Sequence, residues 1–213
     1  MFGGCHIGLL VESRAAGLFV HTCAAAVCED DEVMDGAEPT VQLHCADRSQ
    51  VGLVLAVLDE AAAWLYAAGV QQWPLRFKPE WVRSDIEQGR TWLAWANGEP
   101  VATITLGWSD PLWEPADESG GYVHRLAVRR DAAGLGVFLL QWASTRVRRR
   151  NRQFLRLDCV AANDRLRSYY EQIGFLHCGE VEVAGAPGQR GGAARTVVSR
   201  YQRALNPLTW RVA

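Results

Sequence analysis

Lysine is almost missing from this chain. It carries 22 basic residues, and Lys78 is the only lysine among them. With its many alanines and glycines, this arginine bias reads as the coding habit of a GC-rich genome rather than as mechanism. Charge of either sign is also scarce in sum. The formal net charge is −2, so no global field calls for nucleic acid or an anionic membrane as partner. The six cysteines form no C-x-x-C, and no Cys/His set stands at zinc spacing, so no metal is expected. Cys159 and Cys178 lie in apolar runs and are expected as buried thiols, which fits a reducing, cytoplasmic setting. No apolar run reaches the roughly 18 residues of a membrane span. The amino terminus lacks the basic stretch of a signal peptide. Internal repeats are absent too.

What is present suits one ordinary globular domain of 213 residues, with 49% hydrophobic residues for a core. Residues 1–33 hold a short apolar stretch and an acidic Gly/Pro patch. They are expected as a loosely ordered extension of a domain spanning 34–213, the alternative being a short docked helix.

Patterned sequence then begins. Thr40–Asp47 alternates apolar and polar residues and predicts a strand. The run after Ser49 predicts a helix with Val54, Val57, Leu58, Ala61 and Leu65 on one stripe, Asp47 or Ser49 as cap and Gly69 as stop. A second helix is expected between Pro79 and Gly89. Asn97-Gly98 between two strand-like runs predicts a hairpin. A proline-broken loop follows, then the strand "YVHRLAV", the helix "GLGVFLLQWASTRVRRR" and the strand "QFLRLDCV". The helix "NDRLRSYYEQIGF" is capped by Asn163 and ended by Gly174. "FLHCGEVEV" and "RTVVSRYQ" close as a strand pair. The order β-α-α-β-β-β-α-β-α-β-β predicts an α/β fold: a mixed, mostly antiparallel sheet flanked by helices on both faces.

The joint "DAAGLG" is the first chemical feature. A helix starting near Gly134 leaves its first N–H groups without partners and adds partial positive charge there. Glycine lets a ligand approach that backbone, which suits phosphate. No Gly-Lys-Ser/Thr follows, so this is not a P-loop; the third glycine of a dinucleotide fingerprint is also missing. A tight strand–helix turn explains the same residues.

A second motif decides the direction of the reading. "HRLAVRRDAAGLGVFLLQWA" from His124, followed by "NDRLRSYYEQIGF" from Asn163, resembles the GNAT superfamily of acetyl-coenzyme A-dependent N-acetyltransferases. That family has a "LAV" strand, an Arg/Gln-Gly-x-Gly-x-Gly/Ala joint, and a helix with Asn, Tyr and Gly-Phe at fixed spacing. Leu126-Ala127-Val128, Gly134-Leu135-Gly136, Asn163, Tyr170, Gly174 and Phe175 fall in that register. The likeness runs from about Thr40 to Gln202. It implies the acyl-CoA N-acyltransferase fold, acetyl-CoA as acyl donor and an amine as acceptor.

The resemblance also implies roles. The backbone of Leu126, Ala127 and Val128 would pair with the pantetheine arm, and the amides of Gly134, Leu135, Gly136 and Val137 would hold the pyrophosphate. Asn163 and Tyr169 would lie beside the cofactor. Tyr170 would donate to the departing sulfur; packing in a helical stripe with Leu166 and Ile173 is the alternative. Ala133 and Phe138 depart from the pattern, which has Arg or Gln at the first and Gly or Ala at the second. Arg129 or Arg130 offers a substitute cation. His124 stands where relatives often carry Glu, and is either the proton acceptor or a packed sheet histidine. Glu114, Asp117 and Glu118, in the preceding loop, offer charge to a cationic amine or are solvated. Trp108 and Trp113 flank that loop and offer an aromatic wall with cation–π capacity.

The arginine run from Arg146 to Arg156 reads as a helix carboxyl end whose cations complement the dipole, rather than as a nucleic-acid patch. The small-molecule primary amine is the expected acceptor; protein N-termini or lysines, or a silent acyl-CoA-binding module, are the alternatives. The closing strand pair offers an edge for a homodimer.

Overall fold

The computed structural model describes residues 41–113, 119–184 and 195–205. The expectations for residues 1–33, for Glu114, Asp117 and Glu118, and for the loop between the closing strands lie outside these.

Seven strands form one sheet: β1 (Gln42–Cys45), β2 (Thr91–Ala96), β3 (Glu99–Gly107), β4 (Gly120–Val128), β5 (Phe154–Val160), β6 (Leu176–Ala184) and β7 (Arg195–Ala204). The helices are α1 (Val51–Ala67), α2 (Glu80–Glu87), α3 (Leu135–Arg149) and α4 (Asp164–Gln172). The sheet order is β1-β2-β3-β4-β5-β7-β6. Only β4 and β5 run parallel, joined through α3; every other pair is antiparallel. Element order and fold class are those predicted.

Local chemistry accounts for the boundaries. Asp47 accepts the Ser49 N–H at 2.7 Å, and Gln50 accepts the Asp47 N–H at 3.1 Å, a capping box on a 3-10 turn that leads into α1. Asn97 (φ 52°) and Gly98 (φ 80°) both take the left-handed conformation a two-residue hairpin turn requires. Asn163 caps α4 by accepting the Leu166 N–H at 3.2 Å.

Two cores lie on opposite faces of the sheet. One holds Leu139, Leu140, Ala143 and Val147 of α3 with Leu166 and Tyr170 of α4. The other holds Val54, Val57, Leu58 and Leu65 of α1 with Val82 and Ile86 of α2. The stretch Arg48–Ala67 is long and apolar enough to cross a membrane by composition, closer to that threshold than the sequence reading allowed. Its buried stripe against the sheet makes it a core helix instead. Cys159 is a buried thiol as expected, but Cys178 is only half-buried because β6 is the outermost strand.

Much of the arginine run packs on the protein's own aromatic rings. Arg146 stacks on Trp92 and Trp142, and Arg150 and Arg152 on Trp108. Arg146, Arg148 and Arg149 also occupy the last turn of α3, where cations suit the dipole.

Candidate active site

β4 and β5 begin side by side and then part. Gly120, Gly121 and Tyr122 pair with Phe154, Leu155 and Arg156. No rung joins them beyond that, although β4 runs on to Val128 and β5 to Val160. A bulge in β4 drives the divergence. Between Thr103↔Ala127 and Thr105↔His124, β3 advances two residues and β4 three. The extra residue sits at Arg125, whose φ is 47°. The Arg125 guanidinium is buried and tied to α2 through the Trp81 carbonyl at 3.0 Å and the Asp85 carboxylate. A partly buried ion pair thus holds the kink. The result is a fork whose β4 edge, through Leu126, Ala127 and Val128, has backbone groups free of the β5 ladder.

α3 starts at the end of this fork. Gly134 is its cap with φ 102°, and a Cβ there would meet nothing within 4 Å. The N–H groups of Leu135 and Gly136 precede any helical acceptor, while the Val137 N–H turns back to the Gly134 carbonyl at 3.3 Å. The joint is open and donor-rich, as phosphate requires. Ala133 is exposed beside it. The Phe138 ring is half-buried and packs against the α3-side core. The two arginines offered as substitutes have other partners: Arg129 pairs with Glu60 at 3.1 Å, and Arg130 stacks on Trp64 of α1.

Tyr170 reaches β5 from the α3/α4 side. Its side chain is fully buried and its Oη has no hydrogen-bond partner among the described residues. Burial, followed by the nearby Cys159 and Asp158, pushes its pKa well up. Its ring also packs on Phe175 and Tyr201, as the packing reading expects. Tyr169 lies beside it, with its phenol pushed up to about 12 by burial.

His124 occupies the other face, two residues past the last paired rung of β4. Its Nε2 lies 3.7 Å from an Asp110 carboxylate oxygen. Asp158, equally far along β5, completes a trio whose ligand atoms all lie within 4.8 Å of one another. Asp110 and Asp158 are buried, and His124 is half-buried. The other Asp110 oxygen accepts the Leu112 N–H at 2.8 Å. Residue types alone would let the trio hold a cation. However, Arg200 stands opposite Asp158 in the β5–β7 register and donates to the Leu112 carbonyl at 2.9 Å.

Asp110 and Asp158 were not singled out from sequence. Asp158 carries a signal in hindsight: it is an acid inside the apolar run "FLRLDCV". Trp108 and Trp113 do flank the site, but their faces are already taken. Arg150 lies 4.2 Å from the Trp108 ring centre, and Arg156 and Arg200 lie 4.8 and 5.3 Å from that of Trp113. Their cation–π capacity serves the protein's own arginines. Glu114 lies outside the described residues.

Comparison with known proteins meets this geometry. Residues 56–175 match the acetyltransferase (GNAT) family. The chain belongs to that family. It is 32% identical over 162 residues to the uncharacterized N-acetyltransferase YesJ of Bacillus subtilis (strain 168), covering 71% of this chain and 88% of that one. Among solved structures, a GNAT-family acetyltransferase from Listeria monocytogenes 4b F2365 superposes with TM-score 0.62 at 20% identity, over 82% of this chain and all of that one. The putative acetyltransferase yncA from Salmonella typhimurium, solved with its cofactor acetyl-CoA, superposes with TM-score 0.58 at 15% identity, covering 81% and 98%. These two likenesses show the GNAT fold. The parting of β4 and β5 in this GNAT protein, the open joint at Gly134 and the unpartnered Tyr170 Oη are features an extended thioester ligand would fit.

Proposed function

We propose that this protein transfers an acetyl group from acetyl-CoA to a primary amine of a small molecule by direct attack. One observation carries the reading. The β4–β5 fork has on one side a buried phenol whose hydroxyl has no partner among the described residues, and on the other a histidine close to two carboxylates. When bound, acetyl-CoA would supply the activated acetyl thioester. The unpaired edge of β4 at Leu126–Val128 would receive its arm, and the amides of Gly134, Leu135 and Gly136 its pyrophosphate, the Val137 N–H being turned to the Gly134 carbonyl.

The residues of the chain then divide the proton work. An alkyl amine, with a pKa of about 10, arrives protonated and must lose that proton to attack. Asp110 and Asp158 draw the ammonium toward the fork. His124 accepts the proton, and the two carboxylates stabilise the resulting imidazolium. Tyr170 acts on the sulfur. Its raised pKa keeps the phenol protonated at neutral pH. A thiolate has an ordinary pKa of about 8.5, so complete transfer from this phenol is uphill. Donation of a strong hydrogen bond to the developing negative charge is the role its environment supports.

The test is a thiol-release assay with acetyl-CoA over a panel of small amines, N-terminal peptides and lysine peptides. Release with one or more small amines, sharply slowed in His124→Ala, is the expected result. Acetyl-CoA binding without release on any amine would leave a silent binding module. Turnover confined to peptides would move the acceptor to protein.

A further inference from the structure

Gln72 lies in the connection between α1 and α2 and is fully buried. Its side-chain Oε1 accepts a hydrogen bond from Asn163 Nδ2 at 2.8 Å, across 91 residues of sequence. Asn163 caps α4, and its Oδ1 accepts the Leu166 N–H. These two bonds fix both amides. The cap needs the Asn163 oxygen, so the Asn163 NH2 faces Gln72, so Gln72 presents its oxygen to it. Gln72 Nε2 is then left with its N–H groups buried and without a partner among the described residues. A buried orphan donor in a native fold calls for an explanation.

Its place in the fold supplies one. Glu60 and Trp64 of α1 meet Arg129 and Arg130, just past the end of β4; Gln72 follows α1 beyond that end. Asn163 stands three residues past the end of β5 and donates its N–H to the Val160 carbonyl at 3.0 Å. α1 packs on one face of the sheet and α4 on the other. The Gln72–Asn163 bond therefore joins the two helical layers at the carboxyl ends of the two strands that have parted. It clasps the open end of the fork, away from the His124 and Asp158 pair at its crotch.

We infer that Gln72 is a ligand-binding residue of this fork: its Nε2 donates to an amide carbonyl of the pantetheine arm. This rests on the acetyl-CoA reading above. The chemistry selects that group. A neutral NH2 suits a neutral carbonyl oxygen, and the arm carries two amide carbonyls between its thioester and its pyrophosphate. The clasp stands just past the carboxyl end of β5, at the open end of the fork whose β4 edge would receive that arm.

Gln72→Glu tests the donor while keeping an oxygen for Asn163; Gln72→Met removes donor and acceptor without adding charge. Binding of acetyl-CoA and of the phosphorylated ADP half of coenzyme A, which lacks the arm, is measured by calorimetry, with thermal melts for both variants. Losing the bond is expected to weaken acetyl-CoA about tenfold or more in each variant. The ADP half should bind as in wild type, and Gln72→Glu should melt closer to wild type than Gln72→Met does. Unchanged acetyl-CoA affinity, equal weakening of both ligands, or an effect seen only in the KM of the amine would overturn the assignment. Failure of the wild-type protein to bind acetyl-CoA would instead overturn the reading beneath it.

Discussion

Tyr122 and Arg156 face each other across the last rung that β4 and β5 share, and the Arg156 guanidinium donates to the Tyr122 Oη at 3.0 Å. Both side chains are buried. Arg156 also stacks on Trp113 and Phe154. The crotch of the fork is thus closed by a cation wedged among aromatic rings, and everything reactive lies just beyond it. Arg156→Met removes the donor from a buried phenol and is expected to cost about 1–3 kcal/mol in urea unfolding. Arg156→Lys should rescue little, because an ammonium neither stacks flat nor reaches Tyr122 with the same fork of donors.

His124 and Tyr170 approach the fork from opposite faces, and their variants should separate. His124→Ala is expected to cut kcat roughly 10²–10⁴-fold, the range for loss of a general base. Acetyl-CoA affinity should stay near wild type, since the residue belongs to the acceptor side. Equal kcat with a slow amine, under conditions where chemistry limits the rate, would return His124 to a packing role.

Tyr170→Phe carries an unusual pair of signs. The variant deletes a buried hydroxyl with no partner among the described residues. Removing such a group relieves a desolvation penalty of about 1–3 kcal/mol. The variant should therefore melt at or above the wild-type temperature while kcat falls. A purely structural tyrosine would give the first effect without the second; a drop in both would mean the hydroxyl has a protein partner.

Much of this arrangement was legible in the sequence where the cause is local. The Asn97-Gly98 turn, the Gly134 cap, the Asn163 cap and the apolar stripes each depend on a few neighbouring residues, and each stands where the pattern put it. The fork itself was not legible. It depends on one extra residue in β4 counted against β3, and on Arg125 finding Asp85 in α2, 40 residues away. The same holds for the pairing of Asp110 with His124 and for Gln72 with Asn163. The tryptophans show the limit most clearly. Trp108 and Trp113 offered an aromatic wall in the sequence, but which arginine covers which ring is set only once distant elements are side by side.

Gly134 separates backbone strain from steric space. A Cβ there would touch nothing within 4 Å, yet φ is 102°. Gly134→Ala is therefore expected to cost about 1–2 kcal/mol through conformation alone. Any relaxation of φ would rotate the first amides of α3, so acetyl-CoA affinity should fall together with stability. Affinity for the ADP half of coenzyme A should fall in parallel, unlike at Gln72. A destabilised variant with wild-type affinity for both ligands would detach this joint from phosphate binding.

Alkaline pH should unfold this protein early. Burial raises Cys159, Tyr169, Tyr170 and Tyr201, with Tyr169 pushed up to about 12. In the unfolded chain thiols titrate near 8.5 and phenols near 10. Above about pH 9, then, the unfolded chain has released protons that the folded chain still holds, and stability falls as pH rises. The contribution is intact below about pH 8, where both states keep these protons. Urea midpoints should be level from about pH 7 to 8 and decline from about pH 9, more steeply above 10 as the phenols join. Cys159→Ala removes the larger of two thiol contributions, Cys45 being raised by burial as well, and should flatten the decline between about pH 9 and 10. A midpoint that holds constant to pH 11 would contradict the burial of this cluster behind β5.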